Sequence, residues 1–325
     1  MRRRTVIAGL SWAAAGWPLA PRADEPALVV ALWPFADGNA EGHALSAIFR
    51  TALRDRGQTT LRIEDRWGGA DVERTGVLAA EIVQSGPQVI FAFLNAQLSA
   101  LSALSRTIPM IFVGASDPVG SGYVASLQRP GGNITGFTLY EASLAGKWVA
   151  ALKEAAPAIR RVTLLSNAST EVRRGNFYSE ALRTAAAALG IEPAVCMVGS
   201  AGEIEPVVAD LGQRGDAGLI VAPGTFSEAN GDRIVALTAA HRVPTVFAIR
   251  RFAHRGGLMS YGPDPADAVR RAAAYVDRVL RGEKPATLPV QAPTKFDFIV
   301  NLNSARALGL EISSALLAQA DEIVE

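Results

Sequence analysis

The feature that most constrains this chain is an alternation of strands and helices that occurs twice. Short apolar runs at 28–32, 61–63, 88–94 and 109–113 are near-continuous, as strands covered on both faces tend to be. Between the first two, Ala44, Leu45, Ile48, Phe49, Ala52 and Leu53 recur at helical spacing and stop at Gly57, and Leu78, Ala79, Ile82 and Val83 do the same before Gly86. Residues 96–105 predict a third helix. Strands separated by helices of this length pair in parallel through crossovers, which places helices on both faces of each sheet. The series then repeats, with strands predicted at 161–166, 193–198, 217–222 and 244–249 and helices near 176–189, 203–213 and 229–241. The expected fold is therefore α/β, with two doubly wound parallel-sheet lobes.

Three crossovers should join the lobes. The strand at 134–139, after the loop Arg129-Pro130-Gly131-Gly132-Asn133, reads as the first. The segment 256–262 reads as a return to the first lobe, which would then hold the helix at 265–280, and 288–302 would cross a third time. These assignments give 24–136 plus 258–288 for lobe one and 137–257 plus 289–325 for lobe two. Gly132, Gly136 and Gly262 are the expected pivots, and a ligand would sit between the lobes at the carboxyl ends of the strands.

Length and charge agree with two globular units. At about 150 residues per domain, 325 residues suffice for two cores. Four arginines (Arg2, Arg3, Arg4 and Arg22) precede the first acidic residue, Asp24. Without them 28 basic side chains face 31 acidic ones, a net of −3 with no basic stripe for nucleic acid. Residues 1–23 combine that positive start with an apolar stretch and a small residue, Ala23, at the end, the layout of a secretory signal. The paired arginines before Thr5-Val6-Ile7 also resemble a twin-arginine signal. A periplasmic chain starting near Asp24 is expected. The one cysteine, Cys196, between Val195 and Met197, reads as a buried strand thiol and excludes an internal disulfide.

Motifs of cofactor and nucleophile chemistry are missing: there is no G-x-G-x-x-G after the first strand, no P-loop, no H-E-x-x-H and no G-x-S-x-G. His43, His241 and His254 stand far apart and read as surface or capping residues. No cofactor and no metal are expected. The stretch Gly114-Ala115-Ser116-Asp117-Pro118-Val119-Gly120-Ser121-Gly122 follows the fourth strand. Its small residues would let backbone N–H groups approach a ligand, or Ser116 or Asp117 would simply cap the following turn.

From Gly114 to Phe137, including Ser116-Asp117-Pro118-Val119 and the run Leu127-Gln128-Arg129-Pro130-Gly131-Gly132-Asn133-Ile134-Thr135-Gly136, the chain resembles bacterial ABC-transporter substrate-binding proteins of the tryptophan-binding lipoprotein type. Similar stretches follow at Gly256-Gly257-Leu258-Met259-Ser260-Tyr261-Gly262, at Lys284 to Gln291, and from Pro293-Thr294-Lys295-Phe296 to Leu310. The resemblance implies a periplasmic-binding-protein type I fold, closure on a small ligand, and delivery to a permease and ATPase in the inner membrane. Two departures stand out: Trp33-Pro34-Phe35 replaces a small polar loop, and Asn167-Ala168 replaces an Asn-Pro pair. The leader has no lipobox cysteine, so a soluble form, expected to be monomeric, is implied rather than a lipoprotein.

Strand-end geometry nominates Trp33, Phe35, Asn95, Gln97, Ser116 and Asp117 from lobe one as ligand-binding residues, and Asn167, Thr225, Phe226 and Arg250 from lobe two. An aromatic wall beside an anion and a cation would suit a zwitterion with an apolar side chain, such as an aromatic or branched amino acid. Asp117 would oppose its ammonium, and Arg250 or a backbone N–H would hold its carboxylate. Trp33 could instead pack beneath the first helix, and Arg250 could pair with a surface carboxylate. A two-lobed exported enzyme, such as a transferase, or a ligand-sensing partner of a membrane receptor would use the same crevice.

Overall fold

The computed structural model describes residues 26–69, 71–167 and 177–325, so the leader expected at 1–23 lies outside the described residues. The first lobe opens with β1 (Leu28–Trp33), α1 (Ala40–Arg54), β2 (Arg62–Trp67), α2 (Val72–Gln84), β3 (Val89–Phe93), α3 (Asn95–Leu104), β4 (Met110–Val113) and β5 (Ile134–Phe137). The chain then crosses and builds α4 (Leu144–Ala155), β6 (Arg161–Ser166), α5 (Ser179–Ala188), β7 (Glu192–Met197), α6 (Ile204–Arg214), β8 (Ala217–Val221), α7 (Thr225–Ala240), β9 (Thr245–Phe247), α8 (Arg250–His254) and β10 (Met259–Pro263). Helix α9 (Pro265–Leu280) returns to the first lobe. The chain ends in the second with β11 (Phe296–Asn301), α10 (Leu302–Leu308), α11 (Ser314–Gln319) and β12 (Glu322–Val324).

Among the described residues the strands form two sheets, β2-β1-β3-β4-β5 and β12-β11-β10-β9-β8-β6-β7. The first is parallel throughout; in the second, only β10 and β11 pair antiparallel. Each sheet is covered on both faces. One face of the first packs Val29, Ala31, Trp33, Phe91 and Phe93 against Phe49 of α1 and Val269, Ala272 and Val276 of α9. The other packs Val30, Leu32, Ile90 and Phe112 against Ile82 of α2 and Leu98 and Leu101 of α3. Helix α9 starts sharply because the Asp264 carboxylate accepts the Ala266 N–H and Pro265 occupies the first turn.

The crossings lie later in the chain than the sequence suggests. Met259–Pro263, expected in lobe one, is a strand of the second sheet, paired with β9 and β11, so the return comes at Pro263-Asp264. Leu288 and Val290 belong to the first lobe's cores. Gln291 still hydrogen-bonds along β5, donating to Gly136 and accepting from Thr138. The first lobe therefore runs to 137 and from 264 to 291, and the second takes 144–263 and 296–325.

Of the expected pivots, one lies away from the crossings. Gly132 precedes β5, at the end of the strand away from the crossing at 138–143. Gly136 and Gly262 are packing positions: a Cβ on either would lie 2.0 Å from the carbonyl oxygen of Phe112 or Ala248, respectively.

Candidate functional site

Because the strands of each lobe run in parallel, the loops at their carboxyl ends gather on one side, and the two sets face each other across a cleft of about 690 Å³. Lobe one contributes Gly69 and Asp71 after β2, Leu94, Asn95 and Gln97 after β3, and Gly114 and Ser116 after β4. Lobe two contributes Asn167 after β6, Gly199 after β7, and Gly224, Phe226 and Asn230 after β8. Tyr140, on the first crossing, lies between them. Five of the nominated residues, Asn95, Gln97, Ser116, Asn167 and Phe226, thus meet at one cleft.

Three helices begin there. Asp71 caps α2, accepting the Arg74 N–H at 3.0 Å. Helices α3 and α7, from opposite lobes, start after Leu94 and Gly224 without a side-chain cap, so their first N–H groups point toward the cleft. Leu94 holds φ 71, rare for a residue with a Cβ, and its side chain needs Gly114 opposite: a Cβ there would lie 2.7 Å from Leu94 Cδ2. That contact gives Gly114 a packing role. Within the first turn of α3, Asn95 Oδ1 and both polar atoms of Gln97 are buried without a hydrogen-bond partner. Asn167 is held in place by its Nδ2, which donates to the Val198 carbonyl.

Four of the remaining nominated residues sit elsewhere. Trp33 is fully buried on the α1-facing side of β1, its Nε1 donating to Asp65 at 2.8 Å and its ring between Trp67, Phe91 and Phe93. It shares that face with Val29 and Ala31 by strand alternation. Phe35 is buried against Phe93 and the α1 backbone at Gly42. The Asp117 carboxylate caps its own turn, accepting the Gly120 N–H at 2.8 Å. Thr225 is the first residue of α7. Arg250 opens α8 and pairs with Asp297 at 3.0 Å and Glu322 at 3.2 Å, outside the cleft lining. The expected aromatic wall and the expected pair of opposite charges are therefore not assembled at the cleft.

The sequence reading missed the contribution of β2. The apolar run at 61–63 stops at Ile63, whereas the strand continues through Glu64, Asp65 and Arg66 to Trp67, so that Gly69 and Asp71 beyond it reach the cleft. Also missed was a tie across the lobes: Arg251 of α8 pairs with Glu41 of α1 at 2.6 Å and with Glu228 of α7. Tyr140 lies beside this cluster. Burial pushes its hydroxyl well above the ordinary tyrosine value; Arg251 pulls the other way and Glu41 adds to the rise.

Among the described residues no three His, Cys, Asp or Glu side chains are placed to hold a metal, and no helix is long and apolar enough to cross a membrane.

Two doubly wound lobes, a cleft at the carboxyl ends of both sheets and three crossings between them define a two-lobed protein of the periplasmic-binding-protein type I fold. The chain belongs to the ABC transporter substrate-binding protein family, whose sequence model matches residues 39–324. A tyrosine-binding protein of Clostridioides difficile (strain R20291) is 30% identical over 95 residues, a match spanning 28% of this chain and 28% of that one. Among solved structures, an ABC domain of Streptococcus pneumoniae in complex with L-Trp superposes with a TM-score of 0.83 at 20% identity, covering 92% of this chain and all (100%) of that one. The ligand-free, open structure of a substrate-binding protein with adhesive properties from Clostridium difficile gives 0.70 at 21% identity, covering 92% and 99%. At such identities the likeness is one of fold.

Proposed function

We propose that this protein is the periplasmic solute-binding component of an ABC importer. It closes its lobes, as a monomer, on a small carboxylate of the amino-acid type and hands it to a permease. The observation that carries this reading is the pair of uncapped helix N-termini, α3 and α7, facing one cleft from opposite lobes. Open N-terminal N–H groups favour an anion, and a carboxylate held by both would draw the lobes together. Phe226, Tyr140 and Leu94 supply apolar surface for a side chain, and the volume suits an amino acid. The relatives named for tyrosine and crystallised with L-Trp support the same class.

Among the described residues, the cleft lining includes one charged side chain, Asp71, and no histidine, lysine or cysteine, a composition that suits binding. Ser116, Asn95, Gln97, Asn167 and Phe226 are the proposed contacts. The crossings at 138–143, 263–264 and 292–295 are the proposed pivots, and the leader at 1–23 the proposed route of export.

Thermal melting of protein lacking the leader, in the presence of L-tryptophan, L-tyrosine and L-leucine, tests the reading. A ligand at a hundred times its Kd should stabilise the protein by about 2.7 kcal/mol. If none of the three raises the melting temperature, and native mass spectrometry of protein from the periplasm finds no bound carboxylate, the reading is wrong.

A further inference from the structure

Burying a primary amide without hydrogen bonds costs stability, whereas an apolar side chain of the same size at that place costs nothing. Gln97 is such an amide: it is 1% exposed, and neither Nε2 nor Oε1 has a partner. Its neighbours along α3, Leu98 and Leu101, are core residues, so the helix has no need of an amide to pack. Nor does Gln97 close a capping box, since the Leu94 N–H that it would accept already donates to the Val113 carbonyl at 2.8 Å. Gln97 lines the cleft from within the first turn of α3, two residues after Asn95, whose Oδ1 is likewise buried and unpartnered.

A primary amide offers a donor and an acceptor side by side, and its complement is an edge with an acceptor beside a donor. We propose that Gln97 reads the head of an α-amino acid, with Nε2 donating to the carboxylate and Oε1 accepting from the adjacent ammonium. It would do so in place of the charged pair Asp117 and Arg250, both of which are engaged elsewhere. The α3 N-terminus favours a negatively charged oxygen at this spot over a neutral carbonyl. Recognition by a neutral amide also leaves no buried charge in the empty cleft. This assignment rests on the cleft being a solute site.

The test compares the wild type with Gln97→Leu and with Gln97→Met, whose unbranched side chain guards against a misfit of leucine. Calorimetric titration uses L-leucine, L-tryptophan and L-tyrosine, then 4-methylpentanoate and indole-3-propionate, which lack the ammonium, and leucinamide, which lacks the carboxylate. Ligand-free Gln97→Met should melt about 1–3 °C above the wild type, because an unpaired buried amide is gone. Amino-acid affinity should fall about tenfold to a hundredfold. Loss of the ammonium should cost affinity in the wild type and far less in the variants. Unchanged affinity, or an equal penalty for the analogues in wild type and variants, overturns the assignment. If no amino acid binds the wild type, the proposed function fails and the ligand-free melt decides for Gln97. A higher melt supports an amide held for some other ligand, and a lower one shows that it is structural.

Discussion

Asp264 and Lys295 show how single residues brace the points where the lobes meet. Lys295 Nζ lies 3.0 Å from the Asp264 carboxylate, and the Asp264 N–H donates to the Lys295 carbonyl, so the second and third crossings are tied twice. Burial pushes the Asp264 carboxyl up, but the Lys295 ammonium and the N–H groups of Ala266 and Asp267 outweigh it and hold the group below the ordinary aspartate value. A carboxyl that titrates lower in the folded chain than in the unfolded one stabilises the fold above its unfolded value. That contribution is lost as the pH falls through the folded value. Lys295→Met should therefore lower stability in urea titrations at pH 7, and the gap to the wild type should be narrower at about pH 3, already below the ordinary aspartate value. An equal gap at both pH values would mean that Lys295 acts through its methylenes instead. Trp33 shows what residue type alone conceals. An aromatic at a strand end looks like a binding residue, but parity along β1 places it with Val29 and Ala31 beneath α1.

At the scale of elements, strands covered on both faces were legible because their runs are apolar throughout: β1, β3 and β4 are buried along their whole length. Strand β2 is less legible because it is an edge strand, with Arg62, Glu64 and Arg66 paired along one side. An ion-pair ladder of that kind protects an exposed edge and erases the apolar signal. Asn95, Gln97 and Ser116 could be found because they follow strand ends that were read correctly, whereas Asp71 was hidden by the misread one. Strand β5 explains its own glycine. Its backbone lies so close to β4 that Gly136→Ala would drive a methyl group into the Phe112 carbonyl. The expected cost is about 2–3 kcal/mol in chemical denaturation, with no change in hinge behaviour. A variant of wild-type stability and altered closure would restore Gly136 as a pivot.

For the whole molecule, the bond between Glu41 and Arg251 matters most, since it joins α1 of one lobe to α8 of the other next to Tyr140. A bridge of this kind biases the ligand-free ensemble toward closer lobes, and an affinity measured on a mixed ensemble is reduced by the fraction that is ready to bind. Arg251→Met should increase the radius of gyration of ligand-free protein in small-angle scattering. It should also weaken apparent affinity by about threefold to tenfold, while saturating ligand should restore the compact form. Unchanged scattering and affinity would mean that the pair does not govern closure.

The route of α9 has a consequence for synthesis. This helix supplies Val269, Ala272, Ala273 and Val276 to the first lobe's core, yet it emerges only after the second lobe's strands β6 to β10 have been made. Until then, a growing chain carries β3, β4 and β5 with the α9 side of that face uncovered and only α1 beside it, although their neighbours in sequence are long complete. The lobe that is begun first is thus not finished until most of the second has been made. For most of its time on the ribosome the nascent protein exposes a sticky apolar surface that chaperones have reason to cover.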